Sequence, residues 1–106
     1  MTANIASDTV TLVNVLTVDP ANHGKLLALL RDNTDTIIST LKGWIATSLI
    51  ASKDKRKVII YSQWQTLADV EAMRTEARMV AYFPRLAALA AFDSVVGDVV
   101  YARSHD

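Results

Sequence analysis

Polar and aromatic side chains on otherwise apolar segments are the groups in this sequence best suited to chemistry on a small molecule. Asn14 lies between Val13 and Val15 in a run of valine and leucine, where a buried amide needs hydrogen-bond partners. Trp44 begins one apolar segment and Trp64 ends another. Asn14 and Trp64 together could line a flat slot for an aromatic ligand, although an asparagine bonded to backbone and two core tryptophans fit the same pattern.

Other chemistries find few suitable residues. The chain has no cysteine, which excludes thiolate nucleophiles, disulfides and cysteine zinc sites. His23 and His105 have no carboxylates at metal-ligand spacing, so we expect solvated histidines and no metal site. The sequence contains three glycines and no phosphate-binding loop. Eleven basic and eleven acidic residues balance, which removes the electrostatic argument for a nucleic-acid partner.

The hydrophobic pattern predicts strands over residues 10–18, 44–52, 57–65 and 94–101. A first helix is expected from Asp19 and Pro20 to about Leu41, closed by a left-handed turn at Gly43. A second helix should run from a capping box at Thr66 towards residue 79. Pro84 predicts a break near residue 82 and a further helical segment to residue 89.

The order strand, helix, strand, strand, helix, strand predicts an α+β fold of the ferredoxin-like βαββαβ type. Its antiparallel sheet would carry both helices on one face. The 106 residues suffice for one domain, expected over residues 10–101 with flexible tails at 1–9 and 102–106. No apolar run approaches a membrane span, and the start lacks the features of a secretory signal, so we expect a cytoplasmic protein without a membrane partner.

The predicted sheet is apolar on both faces. Alternation along strand one separates Leu12, Asn14 and Leu16 from Val13 and Val15, and neither set is convincingly polar. Two helices can cover only one face, and a large exposed apolar patch is unusual on a monomer. We therefore expect a homodimer that packs sheet against sheet; the alternative is a partly exposed face with no partner.

The strand ending in Tyr61-Ser-Gln-Trp64, preceded by Gly43-Trp44, is the most specific of four recognisable segments, the others being residues 10–20, 26–34 and 41–45. Together they resemble the antibiotic biosynthesis monooxygenase family, and the resemblance spans residues 10–101. It implies a ferredoxin-like homodimer whose sheets pack together as a dimeric α/β barrel. It also implies a cofactor-independent monooxygenase that oxidises an aromatic or polyketide molecule, such as an anthrone or hydroquinone, with O2 and without metal or flavin.

The same resemblance assigns candidate site residues. Trp64 matches the pocket tryptophan of the family and Asn14 a pocket asparagine of some members, so both are expected to be catalytic. The expected substrate-binding residues are Trp44, Ile60, Ser62, Val70, Tyr82 and Phe83.

The sequence departs from the family pattern at two of these positions. Ile60 stands where members often carry asparagine, and Val70 where some carry a proton-handling tyrosine. Related haem-degrading enzymes place a histidine on the second helix, and residues 66–89 contain none, so we expect no haem.

Two other functions remain open from the sequence. A non-catalytic binding or accessory protein could hold an aromatic metabolite in the same pocket, and the apolar Ile60 favours it. A polyketide cyclase or isomerase would need an acid–base pair, for which Asp35, Asp69 and Arg78 are the available groups.

Overall fold

Four antiparallel strands form one sheet in the order β2-β3-β1-β4 in the computed structural model, which describes residues 9–105. The strands are β1 (Val10–Val18), β2 (Trp44–Ala51), β3 (Lys57–Trp64) and β4 (Ala90–Gly97). The helices are α1 (His23–Thr36), α2 (Leu67–Thr75) and α3 (Ala77–Ala87), and short 3-10 turns occupy Pro20–Asn22 and Ile38–Thr40. This is the predicted ferredoxin-like order, with the second helix divided in two.

The central strand β1 sets which side chains share a face of the sheet. Asn14 lies opposite Ile60 on β3 and opposite Ser94 on β4. Directly paired residues of antiparallel strands point to the same side, so these three side chains belong to one face. The neighbouring row joins Val13 to Tyr61 and Val95 on the other face.

The hydrophobic core lies between the first of these faces and the helices. Leu16, Val58 and Trp64 on the strands are at most 1% exposed. They pack in one cluster with buried side chains of all three helices, among them Leu26 and Val70. Because this helical layer covers one face only, the row through Val13 is left outside the core.

The first helix is shorter than the sequence predicts. A 3-10 turn capped by Asp19 precedes α1, and the α-helical hydrogen bonding ends at Thr36. Near this end Thr34 and Thr36 donate hydrogen bonds from their hydroxyls to carbonyls four residues earlier, and Thr40 donates to the carbonyl of Ile37. Such bonds compete with regular helix geometry, and the chain continues as the turn Ile38–Thr40.

The break in the second helical region lies at Glu76, so the prediction of a break near residue 82 was wrong. Glu76 has extended backbone, with ψ of 133°, and its carboxylate accepts hydrogen bonds from the backbone N–H groups of Arg78 and Met79. The hydrogen bond from the Arg78 side chain, followed by these backbone bonds, holds the pKa of Glu76 below its usual value. Pro84 is accommodated inside α3.

The last strand begins at Ala90, four residues before the predicted start at Ser94, and ends at Gly97. The alanine-rich stretch before Ser94 resembles a helix in sequence, but β1 offers pairing partners along its whole length, from Val18 opposite Ala90 to Thr11 opposite Gly97. Beyond Gly97 the ladder runs out of partners because β1 begins at Val10. Residues 98–105 therefore have no regular secondary structure despite their valines.

Most residues of the two predicted tails, 1–9 and 102–106, are not among the residues that the structure describes. Residues 1–8 and residue 106 lie outside the described residues. Within residues 9–105, no helix has the length and apolar character needed to span a bilayer.

Candidate active site

A cavity of about 300 Å³ lies between the core-facing side of the sheet and the helices. This volume is at the lower end of the range for ligand pockets, which suits a small molecule of two or three fused rings. Most of the lining is apolar, with contributions from Leu12, Leu16, Leu30, Ile38, Ile60, Met73, Met79, Phe83, Leu86 and Phe92. The rest of the described lining consists of Trp64 and eight polar or amphipathic residues: Asn14, Asn33, Thr34, Thr47, Ser62, Arg74, Tyr82 and Ser94.

Asn14 and Ser94 form a polar pair on adjacent strands of the cavity floor. The Ser94 hydroxyl is hydrogen-bonded to the side-chain oxygen of Asn14. This contact occupies the carbonyl end of the amide and orients the side chain. The amide N–H2 of Asn14 is then the end that can donate a hydrogen bond to a bound molecule.

Trp64 is held rigidly at the end of β3 and is 1% exposed. Its indole Nε1 donates to the Ser62 hydroxyl over 3.2 Å, and that hydroxyl donates to the carbonyl oxygen of Leu12 over 3.4 Å. Because the N–H edge is already bonded, the indole offers the cavity an aromatic surface rather than a proton donor.

Tyr82 and Phe83 on α3 supply aromatic walls on the helical side of the cavity. Their ring centroids are 6.1 Å apart, with an interplanar angle of 49°. Burial raises the pKa of Tyr82 to about 12, and the positive charge of Arg85 opposes this effect. The phenol therefore stays protonated near neutral pH, so Tyr82 can donate a hydrogen bond but cannot act as a base there.

Arg74, in the last turn of α2, is the one charged residue among those that the structure brings to the cavity lining. Its side chain is exposed, so it lies where the cavity meets solvent. No carboxylate or imidazole joins the described lining, and the three groups considered for acid–base chemistry, Asp35, Asp69 and Arg78, are not part of it. The site can therefore favour an anion electrostatically but offers no general base of its own.

The structure brings together six of the eight site residues expected from the sequence: Asn14, Ile60, Ser62, Trp64, Tyr82 and Phe83. Trp44 does not line the cavity; its indole packs against the core and donates to the Thr47 hydroxyl over 2.8 Å. Val70, on the core-facing side of α2, is fully buried and is likewise absent from the lining.

Several lining residues were not anticipated from the sequence. Asn33 follows Leu26 and Leu30 at helical spacing, so the sequence itself places an amide within the apolar stripe of α1. This pattern could have identified Asn33 as a candidate site residue. Phe92 reaches the cavity because β4 starts earlier than predicted, and Ser94 because it pairs with Asn14 on the core-facing side of the sheet. Arg74 carried no comparable signal, since an exposed arginine at the end of a helix is common.

His23 was expected to be a solvated surface residue, and the structure contradicts this. It begins α1 but is 9% exposed, and its Nε2 atom has no hydrogen-bond partner within the described chain. It lies outside the cavity lining. Across residues 9–105 there is no group of three or more histidine, aspartate or glutamate side chains arranged to hold a metal ion.

Comparison with known proteins finds a matching family model and a curated relative. A family model described as antibiotic biosynthesis monooxygenase matches residues 9–85. Tetracenomycin-F1 monooxygenase from Streptomyces glaucescens is 32% identical over 82 residues, which are 77% of this chain and 73% of that protein.

Solved structures with low sequence identity share the fold. SnoaB, a cofactor-independent oxygenase from Streptomyces nogalater, aligns with a TM-score of 0.72 and 20% identity over 92% of this chain and 96% of its own. A conserved protein from Methanosarcina mazei Go1 aligns with a TM-score of 0.79 and 10% identity over 87% and 93% of the two chains. At these identities the likeness concerns the fold alone.

Proposed function

This chain belongs to the antibiotic biosynthesis monooxygenase family, and from this premise we propose that it is a cofactor-independent monooxygenase. Its substrate would be an aromatic or polyketide molecule of the anthrone or hydroquinone type, and its oxidant O2. Tetracenomycin-F1 monooxygenase, the curated relative, supports this class of substrate.

The observation that carries the proposal is the cavity of about 300 Å³ with aromatic walls and few polar groups. A flat aromatic molecule fits such a space because its faces can pack on Trp64 and Phe83 while its oxygens meet the amide of Asn14.

In the proposed reaction the substrate itself supplies the electrons. Loss of one proton from an anthrone-type CH2 group gives a delocalised anion, which transfers one electron to O2. The resulting carbon radical and superoxide combine, forming the new C–O bond of a peroxide. Protonation of the outer oxygen, cleavage of the O–O bond and loss of the second carbon-bound proton release water and leave a carbonyl, so that one oxygen atom of O2 enters the product.

The residues of the chain would act on the anion rather than on oxygen. The N–H2 group of Asn14, oriented by Ser94, would donate to the oxygen on which negative charge develops. Arg74 would add a positive charge near the cavity mouth, and the protonated phenol of Tyr82 a further donor. Since the described lining holds no base, the first proton would pass to solvent or be lost before binding.

We propose that the active form is a homodimer joined through the sheet face opposite the cavity. The central rows of that face are largely apolar: one contains Tyr61, Val13 and Val95, and the next contains Ile50, Ile59 and Val15. Ile50 is 51% exposed and Val95 64% in the single chain. Ser48 and Asp93 complete these rows on the outer strands, and rows with Gln63 and Lys57 border them, so the polar groups surround an apolar centre as in many interfaces.

Oxygen uptake with a panel of anthrones and hydroquinones tests the proposed activity against their spontaneous oxidation. Asn14→Leu should lower the enzymatic rate roughly a hundredfold, the usual effect of removing one oxyanion donor. Asn22→Leu is the matched control, because Asn22 lies outside the cavity and makes no side-chain capping bond. Wild-type protein that never exceeds spontaneous oxidation across the panel would contradict the proposal.

Ile60 favours a second candidate function, the binding of an aromatic metabolite without reaction. It lines the cavity at a position where a polar side chain would assist charge development. A carrier would raise its melting temperature with such a ligand by mass action and return it chemically unchanged in air. Ile60→Asn should then leave the ligand unreacted, whereas in an oxygenase it should retain or raise the rate.

A further inference from the structure

Asn33 is a buried amide in the helical wall of the cavity. It is 5% exposed and lies on the apolar stripe of α1, one turn after Leu30. Its Nδ2 atom is 3.5 Å from the thioether sulfur of Met79, a weak acceptor, and its Oδ1 atom has no hydrogen-bond partner among the described residues. A leucine would suit this position in a purely structural helix.

The unsatisfied amide does not depend on which way its ends are assigned. Exchanging oxygen and nitrogen would place the oxygen beside the Met79 sulfur and leave the N–H2 group without a partner instead. Two other buried side-chain atoms in the described chain lack partners, Thr11 Oγ1 and His23 Nε2, but neither residue lines the cavity. Asn33 thus combines an unpaired buried polar group with access to an empty space, and buried polar groups are normally paired.

We propose that Asn33 is a specificity residue that binds a ring hydroxyl of the aromatic ligand, in addition to the contact expected at Asn14. The inference rests on the proposed function in that it places an aromatic molecule in this cavity. A hydroxyl fits best because it both donates and accepts, and so satisfies the amide in either orientation. An unsubstituted ring edge would leave the amide unpaired, which makes the site discriminate against it.

The two asparagines lie on different layers, Asn14 on the sheet and Asn33 on α1. A ligand that reaches both must therefore carry oxygens at two separate points of its ring system. The substrate class narrows to fused aromatic rings with a hydroxyl at a distance from the reacting oxygen.

Equilibrium dialysis with two stable probes tests the inference without turnover. Wild-type protein should bind 2,6-dihydroxynaphthalene more tightly than naphthalene. Asn33→Leu should weaken binding of the diol roughly tenfold, the loss expected for one hydrogen bond, and leave naphthalene binding unchanged or stronger. Asn22→Leu is the matched control, because Asn22 lies outside the cavity lining and makes no side-chain capping bond; it should keep the wild-type preference.

Melting temperatures of the variants show whether a loss of binding comes from the cavity or from a failure to fold. Asn33→Leu should melt at or above the wild-type temperature because it removes an unpaired buried group, and Asn33→Ala serves in its place if the larger side chain is not accepted. Equal loss of both probes, or an unchanged preference for the diol, would overturn the inference, as would wild-type protein that does not prefer the diol. Absence of oxygen uptake would contradict the proposed monooxygenase but leave this binding result intact.

Discussion

Among the residues that the structure describes, the lining of the cavity combines a single cation with no base. Arg74 is the charged residue there, and the phenol of Tyr82 stays protonated because burial raises its pKa to about 12. The proposed monooxygenase would act by favouring the ionised form of its substrate rather than by removing a proton. The pH dependence of the reaction should then follow the pKa of the substrate.

The rate should rise with pH, with a midpoint that moves when the substrate is exchanged for one of different acidity. Arg74→Gln removes the nearby positive charge and should shift this midpoint upward by roughly half a unit, a modest amount because the side chain is exposed. Arg31→Gln, on an exposed position of α1 outside the lining, should not move it. A midpoint independent of the substrate would point to a titrating group of the protein and contradict this account.

The buried phenol of Tyr82 also predicts a loss of stability in alkali. An unfolded tyrosine ionises near pH 10, whereas the pKa of Tyr82 in the folded chain is about 12. The unfolded state therefore releases its proton first, and the stabilising contribution, complete below about pH 10, is lost as pH rises towards 12. Tyr82→Phe should decline less than wild type in urea unfolding between pH 9 and 11.5.

Tyr101→Phe is the control for this measurement, because Tyr101 is 75% exposed and should make no such contribution. Parallel alkaline declines of wild type and Tyr82→Phe would show that the phenol is not buried as described.

The sequence predicts the position of some cavity residues better than that of others. Alternation along β3 places Ile60, Ser62 and Trp64 on one face, whereas Asn14 on β1 joined them through the family resemblance. Trp44 could not be separated from them, since its position follows from the register shift between Trp44 and Ala46 on β2, which the sequence does not predict. The polar groups of the helices depend on how each helix is rotated over the sheet, which one sequence without its tertiary contacts leaves open.

Among the elements, the turn from the first helical region into β2 is governed by Gly43. Its φ of +85° lies in the left-handed region, and a Cβ atom there would collide with the carboxylate of Asp69 at the start of α2. Gly24, in the first turn of α1, has open space around it and ordinary helical backbone. Replacement by alanine should therefore change the free energy of unfolding in opposite directions at these two glycines.

Gly43→Ala should lower the free energy of unfolding by at least about 1–2 kcal/mol, the cost of left-handed backbone alone, with the collision adding to it. Gly24→Ala should raise it by up to about 0.5–1 kcal/mol because alanine restricts the unfolded chain. Urea unfolding of both variants at neutral pH measures the contrast. Two effects of the same sign would contradict the described geometry of the Gly43 turn.

The sequence predicted the β1, β2 and β3 bounds closely because the apolar segments there end at clear turn signals. It misplaced the later boundaries for a physical reason. Pro84 is a strong local signal, yet the cap formed by Glu76 sets the helix boundary, and Pro84 fits within α3. The start of β4 is set by pairing with β1, a contact between distant parts of the chain that local propensity does not contain.

For the whole molecule, the proposed dimer interface predicts a sharp dependence of oligomeric state on one side chain. Val95→Arg places a charge on the apolar face beside Val13 and should convert the dimer to monomer at tens of micromolar. Val80→Arg is the matched control: Val80 is 53% exposed on α3, away from this face, and the dimer should persist. Sedimentation velocity that finds wild-type monomer at these concentrations would contradict the interface.

The most direct test of the monooxygenase account is the fate of oxygen in the product. Wild-type protein is incubated with an anthrone under isotopically labelled 18O2, and the product is analysed by mass spectrometry. The account predicts a carbonyl product with one labelled oxygen atom, formed faster than in the protein-free reaction and more slowly with Asn14→Leu. An anthrone recovered unchanged beyond its spontaneous oxidation, or a product whose new oxygen comes from water, would contradict it.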